Sequence, residues 1–275
     1  MRRYSWILAL TLLPAFAAPA QEHEHGGSVL TSVTIRKPPP KIDVSIARGK
    51  MVSFPSSPGN ANGYLTLPDS KSGKHPAIIV IQEWWGMNEW VLQQTDRFAK
   101  QGYVALAVDL YRGKVASDAE TAHELMRGLP EDRAIADLKA GFAYLATRPD
   151  VEASHVGVIG WCMGGGYSLG LAIAEPRVAA CVMNYGRLVT DPTVIAKIEV
   201  PILGNFGALD RGIPAADVQA FDTALRKAGK SSDMKVYDGA GHAFMNPNNK
   251  DGYVQGAAAD AWARIDSFFA KRLNP

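Results

Sequence analysis

Residues 156–166 turn an apolar run into a glycine cluster. Val156, Val158 and Ile159 lead to Gly160, Cys162 follows, and Gly164, Gly165 and Gly166 open a stretch expected to be helical over residues 167–174. The spacing is G-x-C-x-G, the cysteine form of the strand–turn–helix elbow that lifts a nucleophile to the apex of a sharp, strained turn. Side chains two positions before and after the apex would collide, so Gly160 and Gly164 carry no Cβ. The backbone N–H of Met163, at the start of the helix, then points where an oxyanion would develop. The rest of the chain has to supply a scaffold and partners for Cys162.

Largely apolar stretches that read as strands recur at residues 77–81, 104–108, 156–160, 179–183 and 201–206, and a short strand is expected at 234–237. Amphipathic stretches fall between or after them at 89–100, 119–146, 214–228 and 255–273, the second dividing around Leu129 and Pro130. On 89–100, Val91, Thr95 and Phe98 share a face; on 255–273, Ala258, Trp262, Ile265, Phe269 and Leu273 do. This alternation predicts an α/β fold, with a mostly parallel sheet covered by helices on both faces. Ligands of such sheets bind at the C-terminal ends of the strands. Residues 41–67 instead alternate apolar and polar positions and are punctuated by Pro58, Gly59, Asn62 and Gly63. They predict two or three antiparallel strands at the N-terminal edge of the sheet.

The chain has 275 residues, 47% of them hydrophobic, enough for one large core, and a single domain is expected over residues 41–275. The formal charge of +2 comes from Arg2 and Arg3; without them 27 basic residues face 27 acidic ones. That balance gives no basis for a nucleic-acid partner or a charged membrane surface. Arg2 and Arg3, an apolar core over residues 6–16 and the Ala18-Pro19-Ala20 sequence have the pattern of a cleaved signal peptide over residues 1–20. The core is too short to span a bilayer. This predicts a mature chain starting at Gln21, exported (in a bacterium, to the periplasm), with no stable membrane insertion after cleavage. Residues 21–40, with His23, His25 and three prolines at 38–40, read as a flexible, solvated tether rather than a metal site. Cys162 and Cys181 are expected to remain free. Cys181 lies in an apolar strand, where a cysteine acts as a small hydrophobe, and a bridge would consume the nucleophile.

In a sheet of this kind the partners of an elbow nucleophile follow in the order acid, then histidine. Asp210 follows the strand at 201–206, and His242 lies in a Gly-flanked loop after the strand at 234–237. The other histidines sit in the tether (His23, His25), before strands (His75, His155) or within a helix (His123). Asp109 and Asp238 also end strands, and Asp210 could instead cap the helix that begins near Pro214. Asp210 has the place the orienting acid needs.

The segments Gln82-Glu83-Trp84-Trp85-Gly86, Asp109-Leu110-Tyr111-Arg112-Gly113, Gly160-Trp161-Cys162-Met163-Gly164-Gly165, Asn184-Tyr185-Gly186, Gly207-Ala208-Leu209-Asp210 and Gly241-His242-Ala243-Phe244 occur in this order from residue 82 to residue 244. Taken together, they make the chain resemble the dienelactone hydrolases (carboxymethylenebutenolidases) of the α/β-hydrolase superfamily. The resemblance implies an α/β-hydrolase fold, a Cys162–His242–Asp210 triad and a further active-site carboxylate, Glu83, able to accept the thiol proton. It implies an oxyanion hole made by the N–H groups of Met163 and Trp84, with Trp85 and Tyr185 walling the pocket. No metal or organic cofactor is called for, and the partner is a small ester or lactone, acted on by a monomer or small homo-oligomer.

One departure concerns the substrate. The family clamps a substrate carboxylate with two arginines. Arg112 is the candidate for one, shifted by a residue; Asn246 stands where the other is expected. A neutral amide cannot make the bidentate pair that arginine makes with a carboxylate, which argues against dienelactone itself as the natural substrate. The leading expectation is a cysteine-dependent hydrolase of small carboxylic esters or lactones, working through an acyl-thioester. The alternatives are a broader exported esterase, or a thiol redox or binding protein on the same scaffold.

Overall fold

The computed structural model describes residues 47–70 and 72–274. The expected signal peptide, the tether and residues 41–46 therefore lie outside the described residues.

Eight strands form one sheet: β1 (Lys50–Pro55), β2 (Asn60–Thr66), β3 (His75–Ile81), β4 (Val104–Val108), β5 (Val151–Trp161), β6 (Ala180–Asn184), β7 (Ile202–Gly207) and β8 (Ser232–Tyr237). Their order is β1-β2-β4-β3-β5-β6-β7-β8. Pairing is antiparallel between β1 and β2 and between β2 and β4, and parallel from β4 to β8. The fold is that of an α/β-hydrolase, with the antiparallel strands at the N-terminal edge. Among the described residues there are seven helices, six between strands and the last after β8: α1 (Glu89–Lys100), α2 (Ala119–Arg127), α3 (Glu131–Ala146), α4 (Met163–Ala174), α5 (Pro192–Ile195), α6 (Ala215–Lys227) and α7 (Gln255–Leu273). None of the helices among the described residues is long and apolar enough to cross a membrane.

The period-2 geometry of a strand explains the two cores. Ile79 and Ile81 of β3 and Leu106 and Val108 of β4 face one side, where Leu138 and Phe142 of α3, Leu169 of α4 and Phe221 of α6 pack. Ile78, Val80, Ala105 and Ala107 face the other, against Phe98 of α1 and Ile265 and Phe269 of α7. A strand buried on both faces has no polar positions to alternate, which is why these strands are continuously apolar in sequence. Trp262 departs from the expected inward stripe of α7. It is only partly buried, and the Arg97 guanidinium lies 4.1 Å from its ring.

Two boundaries differ from expectation. β5 begins at Val151, five residues early, and its pairing with β3 shifts register between His75 and Ala77. α4 begins at Met163, four residues before 167, so the glycines that open it are themselves helical. The reason is close packing. A Cβ on Gly164 would sit 2.4 Å from the Ile81 carbonyl oxygen, and one on Gly165 would sit 2.5 Å from the Asn184 carbonyl oxygen. The helix start is pressed between the ends of β3 and β6, where only bare backbone fits. The short α5, capped by the Asp191 side chain on the Thr193 N–H, was not foreseen.

The C-terminal ends of the parallel strands are tied together by buried amides. Asn205 Nδ2 donates to Asn184 Oδ1 at 2.8 Å, and Asn184 Nδ2 donates to the Gly160 carbonyl at 3.1 Å. β7, β6 and β5 are thereby held in register immediately below Cys162.

Candidate active site

Cys162 sits between β5 and α4 with φ 55° and ψ −119°, a left-handed backbone that few side-chain-bearing residues adopt. Such strain persists only where the surroundings over-determine it. Here the Cys162 N–H donates to the Asn184 carbonyl at 3.0 Å, and its own carbonyl accepts from the Gly165 N–H at 3.0 Å. Met163 opens α4, so its N–H is among the amides that have no acceptor within the helix.

Asp210 follows β7 in a turn closed by its own side chain. Oδ1 accepts the N–H groups of Gly212 and Ile213 at 2.9 and 3.1 Å, leaving Oδ2 to meet His242 Nδ1 at 2.7 Å. Burial opposes ionisation of Asp210, but the His242 bond and charge and the two backbone donors hold its pKa below the usual carboxylate value. The alternative of a mere helix cap does not describe this geometry, because the carboxylate spans both the turn and the histidine.

His242 lies in the loop after β8, and Asn249 braces that loop by donating to the carbonyls of His242 and Ala243 at 3.1 and 3.3 Å. Burial alone would lower the His242 pKa. Interactions with Asp210 and Cys162, and the charges those groups carry when ionised, outweigh it and raise the pKa to about 10. The Tyr185 ring meets the imidazole edge-on with centroids 5.3 Å apart.

Glu83 ends β3's excursion toward the same place. It is 2% exposed; Oε2 accepts from Asn246 Nδ2 at 2.7 Å, and Oε1 has no partner among the described residues. Burial pushes its pKa to about 7 against the lowering effects of Asn246 and the His242 charge. A carboxylate with a raised pKa keeps more protons folded than unfolded, so it favours folding fully below about pH 4.5 and loses that contribution as pH rises through 7. Glu83→Gln is therefore expected to gain up to about 3 kcal/mol over wild type between pH 4 and pH 8. Urea titrations of both proteins at the two pH values check this, and a pH-independent difference would contradict it.

Trp84 and Trp85 pack against each other with centroids 4.9 Å apart, and Trp84 meets His123 of α2 edge-on at 4.6 Å. Both tryptophans line a cavity of about 580 Å³ with Glu83, His242 and Asn246. A second cavity of about 570 Å³ contains Cys162, Met163, Tyr185 and His242. Cys162, His242, Asp210, Glu83, Trp84, Trp85, Met163, Tyr185 and Asn246 are thus gathered at one end of the sheet.

Arg112 is not among them. Its Nη2 donates to both carboxylate oxygens of Asp137 of α3, each at 2.9 Å, and its Nη1 donates to the Asn60 carbonyl. The Asp137 side chain is fully buried, so it requires cations, and Arg112 and Arg133 supply them. Arg112 lines neither cavity, which removes it from the expected substrate contacts. Asn246 also differs from expectation: its amide is committed to Glu83, and its Oδ1 accepts the Asn248 N–H at 2.9 Å. The neutral side chain standing in the arginine's place therefore still holds the glutamate. Sequence reasoning missed the apolar wall formed by Leu188, Val189, Ile195 and Ile213, which carries no periodicity or motif that marks it. Among the described residues no group of three or more His, Cys, Asp or Glu is arranged to hold a metal ion.

A model of the dienelactone hydrolase family matches residues 61–273. The chain belongs to this family. It is 33% identical over 232 residues to a protein of Methylorubrum extorquens provisionally named a carboxymethylenebutenolidase, covering 79% of each chain. A Yersinia pestis protein with the same provisional name is 32% identical over 233 residues, covering 80% of this chain and 86% of its own. The crystal structure of a provisionally named dienelactone hydrolase from Klebsiella pneumoniae superposes with a TM-score of 0.75 at 30% identity, over 81% of this chain and 98% of that one. As a dienelactone hydrolase family member, the protein is a carboxylic ester hydrolase.

Proposed function

We propose that the protein hydrolyses small carboxylic esters or lactones with Cys162 as nucleophile, through an acyl-thioester. The observation that carries this is the line from Asp210 Oδ2, 2.7 Å from His242 Nδ1, through the imidazole to the cavity that His242 and Cys162 line together. Asp210 fixes the ring orientation and stabilises the imidazolium. Glu83, poised near neutrality and held by Asn246, takes the thiol proton when substrate arrives.

The Cys162 sulfur attacks the carbonyl carbon, and the carbonyl π-electron pair moves to oxygen. The N–H groups of Met163 and Trp84 receive that oxyanion. Collapse breaks the acyl C–O bond, and imidazolium His242 gives its proton to the leaving oxygen. In the acyl-enzyme the sulfur carries no charge. One influence raising the His242 pKa is then gone, and the neutral ring accepts a proton from water as that water attacks the thioester. The thiolate leaves and takes back the proton held by Glu83, and the acid is released. In a lactone the leaving oxygen stays tethered to the acyl group throughout.

A thiol redox role has less support. Cys181, the second thiol of the chain, is fully buried on β6, and burial raises its pKa to about 12. A thiol in that state is a poor resolving partner.

Asp210→Asn tests the line. With reduced protein and p-nitrophenyl acetate, its kcat/KM is expected to fall roughly 10³- to 10⁴-fold, because the amide fixes the wrong imidazole tautomer. Undiminished turnover in a folded variant, or an inert wild-type protein, would overturn the proposal.

A further inference from the structure

His242 belongs to two cavities of opposite chemistry. The first contains Cys162 and Met163 and is walled by Leu188, Val189, Ile195, Ile213 and Phe221. Its cation, Arg187, is 70% exposed and turns toward Glu131 at 3.5 Å, so the charge stands at the mouth rather than in the wall. The second cavity lacks Cys162 and is lined by Trp84, Trp85, Asn88, Asn249 and Lys250 around Glu83.

We propose that the preferred substrate is an ester joining an apolar acyl chain to a polyhydroxylated, sugar-like alcohol. This rests on the cysteine-hydrolase proposal above. The acyl carbon bonds to Cys162, so its chain occupies the cavity that contains Cys162. The leaving oxygen takes a proton from His242, so the alcohol occupies the cavity that His242 shares but Cys162 does not.

The acyl side follows from the wall. A carboxylate at the end of the acyl chain would be desolvated among Leu188, Val189 and Ile195 and would meet the like charge of Asp217, while Arg187 stands exposed at the mouth. An alkyl chain gains by burial, about fourfold in kcat/KM per methylene until the cavity is filled. The alcohol side follows from the indoles and amides. Two half-buried indoles offer apolar surface to the C–H groups of a sugar ring, while Nδ2 of Asn88 and Oδ1 of Asn249, the amide atoms not used in the bonds to Val91, His242 and Ala243, can donate to and accept from sugar hydroxyls. Hydroxyl groups can bond these amides and Lys250 at the cavity wall, whereas an ethyl group makes no such bond.

The test measures acid release by wild-type protein from 6-O-hexanoylglucose, 6-O-acetylglucose, ethyl hexanoate and ethyl acetate. p-Nitrophenyl acetate serves as the control, with and without Cys162→Ala. Hexanoylglucose is expected to exceed acetylglucose by about 30-fold or more in kcat/KM. It is expected to exceed ethyl hexanoate by about tenfold. Acetylglucose or ethyl hexanoate matching it, or none of the four being cleaved while p-nitrophenyl acetate is, overturns the substrate proposal and leaves the cysteine mechanism standing. Failure to cleave p-nitrophenyl acetate, or cleavage undiminished in Cys162→Ala, removes the mechanism itself and this proposal with it.

Discussion

Cys162→Ala is expected to lower kcat for ester hydrolysis roughly 10⁴-fold or more while leaving the fold intact. The size of the loss follows from how the parts depend on one another. His242 and Asp210 move protons for a nucleophile, and without the sulfur they have no bond-forming partner. What remains is the oxyanion hole and substrate binding, which act on a water that nothing aims. The fold is expected to survive because alanine keeps the Cβ, and the residue at 162 is held by backbone bonds to Asn184 and Gly165 rather than by its sulfur. Alanine keeps the left-handed strain at φ 55° as well, whereas Cys162→Gly should relieve it and stabilise the protein by about 1 kcal/mol. Thermal unfolding of the three proteins beside their kinetics separates the chemical loss from any structural one. A Cys162→Ala protein that unfolds early would make its inactivity uninformative about the sulfur.

Gly160→Val is expected to cost roughly 4 kcal/mol or more, and with it most of the soluble folded protein. Even the first carbon of a side chain at 160 would lie 2.0 Å from the Gly164 carbonyl oxygen and 2.2 Å from its carbon. These are backbone atoms of α4, and α4 cannot retreat because Gly164 itself lies against the Ile81 and Gln82 carbonyls and Gly165 against Asn184 and Gly186. Relief would require the strand–helix turn to open, which also moves Cys162 away from His242. Gly256→Ala is the contrasting case. Nothing lies within 4 Å of its Cβ position at the start of α7, so it is expected to be neutral or stabilising by about 0.5 kcal/mol. Denaturant midpoints of the two variants decide the matter. Comparable stabilities would mean that the tight turn at 160 relaxes more readily than its geometry implies.

The contrast between these glycines marks what could be read before the structure was known. The elbow was legible because its steric demand is local: the collision is between residues four apart, and the sequence states both glycines. Helices α1 and α7 were legible for a similar reason, since one turn of a helix repeats its buried face every three or four residues. The close packing of Gly164 and Gly165 was not legible, because their neighbours, Ile81 and Asn184, come from strands far away in the chain. Glu83 and Asn246 illustrate the same limit. They are 163 residues apart, and no pattern in either segment shows that one amide would hold one carboxylate. Arg112 looked like a substrate ligand until its position beside the fully buried Asp137 became visible. The cavity wall at Leu188, Val189 and Ile195 was hidden because short irregular segments and a four-residue helix carry no periodicity.

Acid-quench mass spectrometry of the reduced wild-type protein mixed with excess p-nitrophenyl butyrate tests the nucleophile most directly. A protein that works as described carries a butyryl group during turnover, and fragmentation places it on the peptide containing Cys162. The adduct is lost on treatment with hydroxylamine, as a thioester is, and is absent from Cys162→Ala. Turnover at full rate with no acylated protein, or an acyl group found on a residue other than Cys162, would contradict the account.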